Sequence, residues 1–134
     1  MKTLPANASD EDILSAVREW VELLAKEEYE EAYRFFVSSE HNRWQWSPQL
    51  LKRIIRTYGG LYGDQEKFSI TPVEKTSEGS EPRHDVHRDR KDEHKGYVWF
   101  DLPLNGKWSD LTAILTFQVN GGSLVIELES IEVM

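Results

Sequence analysis

Residues 96–134, GYVWFDLPLNGKWSDLTAILTFQVNGGSLVIELESIEVM, decide the fold, because they read as two linked β-hairpins. Asn105-Gly106 is a two-residue hairpin turn, since both of its central positions require positive φ. It sets Leu104 opposite Lys107, and hence Phe100 opposite Leu111 and Val98 opposite Ala113. By the alternation of a strand, these last four share a face with Leu102, Leu115, Phe117 and Val119. Asn120-Gly121 closes the next turn in the same way, with Phe117 opposite Leu124, Leu115 opposite Ile126 and Ala113 opposite Leu128. A three-residue loop there would turn the last strand over, so the two-residue turn is preferred. One face of the sheet is then continuously apolar, and helices must cover it. Beyond Ser130 the alternation puts Ile131 and Val133 on the other face unless a bulge returns them, and both outcomes stay open.

That other face carries Tyr97, Trp99, Asp101, Pro103, Trp108, Asp110, Thr112, Ile114, Thr116 and Val125. A solvated face is normally charged and small, so three large aromatics and two aliphatics imply a partner. The expected interface is Tyr97, Trp99, Asp101, Trp108, Ile114 and Val125, with a second copy of the chain as the plainest occupant.

Everything before about Phe68 reads as helix. Ser9 is an N-cap followed by Asp10, Glu11 and Asp12, where the helix dipole favours carboxylates. Ile13, Val17, Trp20, Val21 and Leu24 then form one apolar stripe. A short second helix aligns Tyr29, Ala32, Tyr33 and Phe36. The third opens on Ser47 and Pro48, faces Leu51, Ile54 and Tyr58 inward, and stops at Gly59-Gly60. Phe68 to Glu74 contains Pro72 and reads as an edge or irregular strand. Residues 76–95 hold one aliphatic side chain, Val86, and read as a long polar loop.

A chain of 134 residues is one domain, here 1–134, and its five Trp, five Tyr and five Phe supply the bulk of a core. No apolar run is long enough to span a membrane, and Met1 to Ala8 lacks the apolar stretch of a signal peptide. The absence of cysteine removes disulfides and thiolate chemistry and fits a cytoplasmic protein. A formal net charge of −8 argues against nucleic acid and suits either solubility or a basic partner.

Two or three amphipathic helices followed by a long antiparallel sheet resemble the NTF2-like (cystatin-like) superfamily, an α+β fold. The phrase Glu28-Tyr29-Glu30-Glu31-Ala32-Tyr33-Arg34-Phe35-Phe36 is similar to the second helix of many such domains. Pro103 to Thr112 is similar to the C-terminal part of small bacterial proteins without an assigned function. The resemblance implies a cone, with helices on the concave side of the sheet and a pocket between. That fold hosts ketosteroid-isomerase-like and polyketide-cyclase-like enzymes, transport and accessory domains, and toxin-immunity proteins, so it does not choose a function. An isomerase of this kind needs an inward carboxylate base and an oxyanion-binding pair. Neither can be matched here, because the inward strand positions are apolar or small.

Candidate sites are therefore few. Trp44, Tyr58 and Tyr62 are the candidate ligand contacts, whereas Trp46 precedes the Ser47 cap and fits a hydrophobic staple with Leu51. Asp101 and Asp110 fall opposite each other in the derived register, an arrangement that would raise one pKa or recruit a cation. His84, His87 and His94 lie among carboxylates, but their spacing matches no zinc or nickel ligand pattern, so neither metal nor cofactor is expected. The reading is a cytoplasmic, non-catalytic bacterial binding protein, a homodimer or partner-binding domain, with toxin immunity as its sharpest form. The alternative is a small pocket enzyme acting on a hydrophobic ligand. A cone filled by Trp20, Tyr33, Phe36 and Tyr58 would count against that enzyme, and a deep cavity with an isolated buried acid or histidine would favour it.

Overall fold

The computed structural model describes residues 1–39 and 41–134. A short strand β1 (Thr3–Pro5) leads into helices α1 (Asp10–Ala25), α2 (Tyr29–Phe35) and α3 (Pro48–Arg56). A 3-10 turn at Val73–Lys75 precedes strands β2 (His84–Arg88), β3 (Lys95–Leu104), β4 (Lys107–Asn120) and β5 (Ser123–Val133). The five strands form one antiparallel sheet in the order β1-β5-β4-β3-β2, curled against the helices. The architecture is α+β, as the sequence predicts. No helix among the described residues is long and apolar enough to cross a membrane.

The helices start where their caps dictate. Ser9 Oγ accepts from the Asp12 amide while the Asp12 carboxylate accepts from the Ser9 amide, a complete capping box. Ser47 Oγ accepts from Leu50 N, and Pro48 occupies the first turn of α3. The α1 stripe is fully buried, and Trp20 packs on Phe36 with ring centroids 5.8 Å apart. Leu51 and Ile55 are the buried residues of α3, with Ile54 packed partly against them. Tyr58 lies past the helix end in a left-handed conformation, φ 54°, shared by Gly59 and Gly60.

The register departs from expectation in an instructive way. The Asn105-Gly106 turn pairs Leu104 with Lys107 and Pro103 with Trp108 as predicted. Then Ser109, Asp110 and Leu111 together oppose Leu102, and pairing resumes as Asp101 with Thr112 and Phe100 with Ala113. The expected partners are thus two residues off. An even insertion keeps every side chain on its face, so Phe100, Leu102, Leu111, Ala113 and Leu115 are all fully buried. The second turn is Gly121-Gly122, not Asn120-Gly121, since Asn120 pairs with Ser123 and Phe117 with Ile126. That shift is also even. A second bulge at Glu129 lets Ser130 pair with Ile114 and Ile131 with Ala113, so Ile131 returns to the core. Full burial of an Ile side chain contributes about 1.5–3 kcal/mol, which favours the bulge over strict alternation.

Residues 76–95 are not one long loop. Glu78 bridges to Lys107, and β2 pairs with β3 from His84↔Phe100 to Arg88↔Gly96. With one aliphatic residue, β2 still has an inner face because planar polar groups serve in its place. The His84 ring stacks on Phe100 at 3.8 Å between centroids, and the Arg88 guanidinium lies 5.4 Å from the centre of Phe117. Arg88 also reaches back to α1, donating to the Asp10 carboxylate and the Ala8 carbonyl. Phe68 to Glu74 is irregular as expected, with one bridge from Ile70 to Leu104 and the 3-10 turn after Pro72.

Candidate functional site

The helix-covered side of the sheet offers little chemistry. Trp20, Phe36, Leu51, Ile55, Phe100, Leu111 and Leu115 fill it, with Tyr33 and Tyr58 partly buried at its margin. His84 is a titratable residue at its edge, on β2. The ring donates through Nε2 to the Asp101 carbonyl at 3.3 Å, and burial lowers its pKa. An imidazole stacked between Phe100 and the edge of Trp108 is a structural group held neutral by its surroundings.

The opposite face holds the polar centre. Asp101 is only 6% exposed, yet its carboxylate is fully engaged. Oδ2 accepts from Arg83 N and Nε, and Oδ1 from Arg83 Nη2 at 3.0 Å and Thr112 Oγ1 at 2.7 Å. Burial pushes the Asp101 pKa up, but these hydrogen bonds and the guanidinium charge outweigh it and hold the carboxyl below its ordinary value. The expected Asp101–Asp110 pair does not form, because the three-residue bulge carries Asp110 away from it. Asp110 instead accepts a hydrogen bond from the Tyr58 hydroxyl.

Two surfaces remain. The first is the aromatic strip of β3, where Tyr97 is 42% exposed and Trp99 half-buried. His87 stacks on Tyr97 at 4.7 Å, and the Arg83 guanidinium lies 5.5 Å from the centre of Trp99. Ile114 pairs with Trp99, and Val125 lies two strands away opposite Gln118 and Thr3. The second is a cleft of about 740 Å³ beside the bulge, walled by Tyr58, Phe68, Pro82, Leu104 and Trp108. The segment around Gly79 forms its far side. Gly79 has φ +99°, and a Cβ there would stand 2.8 Å from the Trp108 carbonyl, so only glycine lets the chain lie on β4. Arg83 and Asp101 line this cleft too and join the two surfaces.

Tyr58 thus lines the cleft, with Tyr62 beside it at 6.2 Å between rings and 44% exposed. Trp44 lies elsewhere. Asn42 holds its loop on β5, donating to the Leu128 carbonyl and accepting from Trp44 N, and Trp44 stacks flat on Trp46 at 5.2 Å. Of the expected interface residues, Tyr97, Trp99, Ile114 and Val125 share the outer face. Asp101 is buried under Arg83, and Trp108 turns into the cleft against His84. Arg83 is the residue that sequence reasoning missed. Its only signal was a basic side chain two positions before Asp85 in a segment read as loop.

His84 and His87 point to opposite faces of β2, and among the described residues no three histidines or carboxylates gather to hold a metal. Together the two layers and the two outer surfaces define an α+β domain of helices on a curled antiparallel sheet. Comparison with protein-family models, curated proteins and solved structures finds no match to this chain.

Proposed function

We propose that this chain is an NTF2-like domain that works by binding, without catalysis, through the outer face of its sheet. Three helices followed by a long curled sheet support the family reading. The observation that carries the functional one is the aromatic strip. Tyr97 is exposed and Trp99 half-buried on β3, and Ile114 and Thr116, which pair with them, are uncharged, as is Val125 on β5.

A second copy of the chain is the occupant we favour. Two molecules of charge −8 repel one another, so self-association requires an uncharged contact, and the carboxylates of Asp85 and Glu127 sit towards the sides of the strip. Burying Trp99 and its neighbours contributes several kcal/mol at roughly 25 cal/mol per Å², before the cost of association. A toxin-immunity role, in which a basic partner takes the same face, is the finer form of the proposal. The composition of the inner side counts against a ketosteroid-isomerase-like or cyclase-like enzyme. Among the described residues its large buried side chains are apolar, and the buried carboxylate, Asp101, is tied to Arg83 on the other face.

Sedimentation velocity of the wild type and of Trp99→Lys tests the reading. The wild type is expected to sediment as a dimer and the variant as a monomer with an unchanged circular dichroism spectrum. A wild-type chain that stays monomeric at high concentration refutes the homodimer.

A further inference from the structure

We propose that the cleft beside the β3–β4 bulge binds a small organic cation with an aromatic or aliphatic body. The size is right, since about 740 Å³ falls within the range of small-ligand sites, and the walls are largely apolar. Three aromatic rings, Tyr58, Phe68 and Trp108, line it, and their faces attract cations.

The charge balance of the lining selects the sign of the ligand. Arg83 is committed to Asp101 by two side-chain hydrogen bonds, so that pair is neutral as a unit. Lys107 also lines the cleft, with Nζ 3.9 Å from the exposed Glu78, so the lining sets the carboxylates of Glu81, Asp101 and Asp110 against the cations of Arg83 and Lys107. The remaining carboxylates, Glu81 and Asp110, have no cationic partner among the described residues. Asp110 is oriented through one oxygen by the Tyr58 hydroxyl, and its second oxygen accepts no side-chain hydrogen bond among the described residues. A cation is therefore attracted twice, by the two carboxylates and by the ring faces. An anion of the same shape meets two unpaired carboxylates. The chain itself uses this chemistry next door, where Lys67 Nζ stands 5.5 Å from the centre of Tyr62, whose ring touches Tyr58 and Phe68. Lys67 does not line the cleft.

The test is a nuclear magnetic resonance titration of the full chain with three probes of one shape: 2-phenylethylamine, 2-phenylethanol and phenylacetate. The readout is the indole N–H signal of Trp108. The amine, an ammonium at neutral pH, is expected to shift that signal and to bind at least about five-fold tighter than the alcohol, the size of one exposed ion pair. Phenylacetate is expected to bind weakest. Asp110→Asn keeps an acceptor for Tyr58, and Glu81→Gln alters an exposed side chain that makes no hydrogen bond or ion pair among the described residues, so both variants should keep the fold. Each is expected to bring the amine towards the alcohol, and added salt to do the same. Equal binding of amine and alcohol, tighter binding of phenylacetate, or an amine affinity unchanged in both variants overturns the proposal. So does a shift that spares Trp108. The readout is separate from sedimentation, so failure here and failure of the sheet-face reading are distinguishable.

Discussion

Arg83→Met is the sharpest perturbation of this structure, because it removes the charge partner of a buried carboxylate while keeping much of the side-chain bulk. Asp101 is 6% exposed and would retain only Thr112 Oγ1 and the Arg83 amide as donors. Breaking a buried pair typically costs about 3–5 kcal/mol. The Arg83 side chain is 38% exposed, so water can partly replace the guanidinium, and about 2–3 kcal/mol is expected instead. For a domain of this length that lowers Tm by roughly 5–15 °C. The pH dependence carries the sign. A carboxyl whose folded pKa is depressed contributes stability that is present above its unfolded value, about 3.9, and lost as pH falls through the folded value. The gap between wild type and variant in urea unfolding should therefore be full near pH 6 and shrink steadily below about pH 4. A gap under about 0.5 kcal/mol, in the range of ordinary surface substitutions, would refute the assignment, as would a gap that persists undiminished at pH 2.

Gly96→Ala should destabilise by about 1–3 kcal/mol, because the new Cβ would stand 2.1 Å from the His87 carbonyl and 2.8 Å from the Phe117 ring. Hydrogen exchange should show protection lost first in β2, and an unchanged Tm would show that the edge strand is not held this closely. Gly106→Val should cost more than about 1 kcal/mol through backbone strain alone, since φ is +87° and no atom lies within 4 Å of the added Cβ. Gly106→Asn should be tolerated better in the same thermal melts, because Asn accepts positive φ, and equal losses for both would point to packing instead.

The caps, the helical stripe and the faces of the sheet are legible in local sequence. Ser9, Ser47 and Pro48 act within a turn of their own position, and Ile13 to Leu24 repeats on a fixed period, so neither needs the rest of the chain. Face assignment survived two wrong pairings because each register shift was even, and parity is all that strand periodicity encodes. The bulges, the edge strand and the site depend on contacts between distant segments. Ser109 closes the first bulge by donating to the Leu102 carbonyl and accepting from Leu111 N, a bond that depends on the facing strand. The second bulge exists because Ile131 gains a core that other segments build. β2 is a strand because Phe100 and Phe117 were already in place for His84 and Arg88 to lie on. Arg83 and Asp101 are 18 residues apart, and no local pattern brings a cation from one segment onto a carboxylate of another. Local physics fixes which way a side chain points. What it meets there is settled when the chain closes on itself.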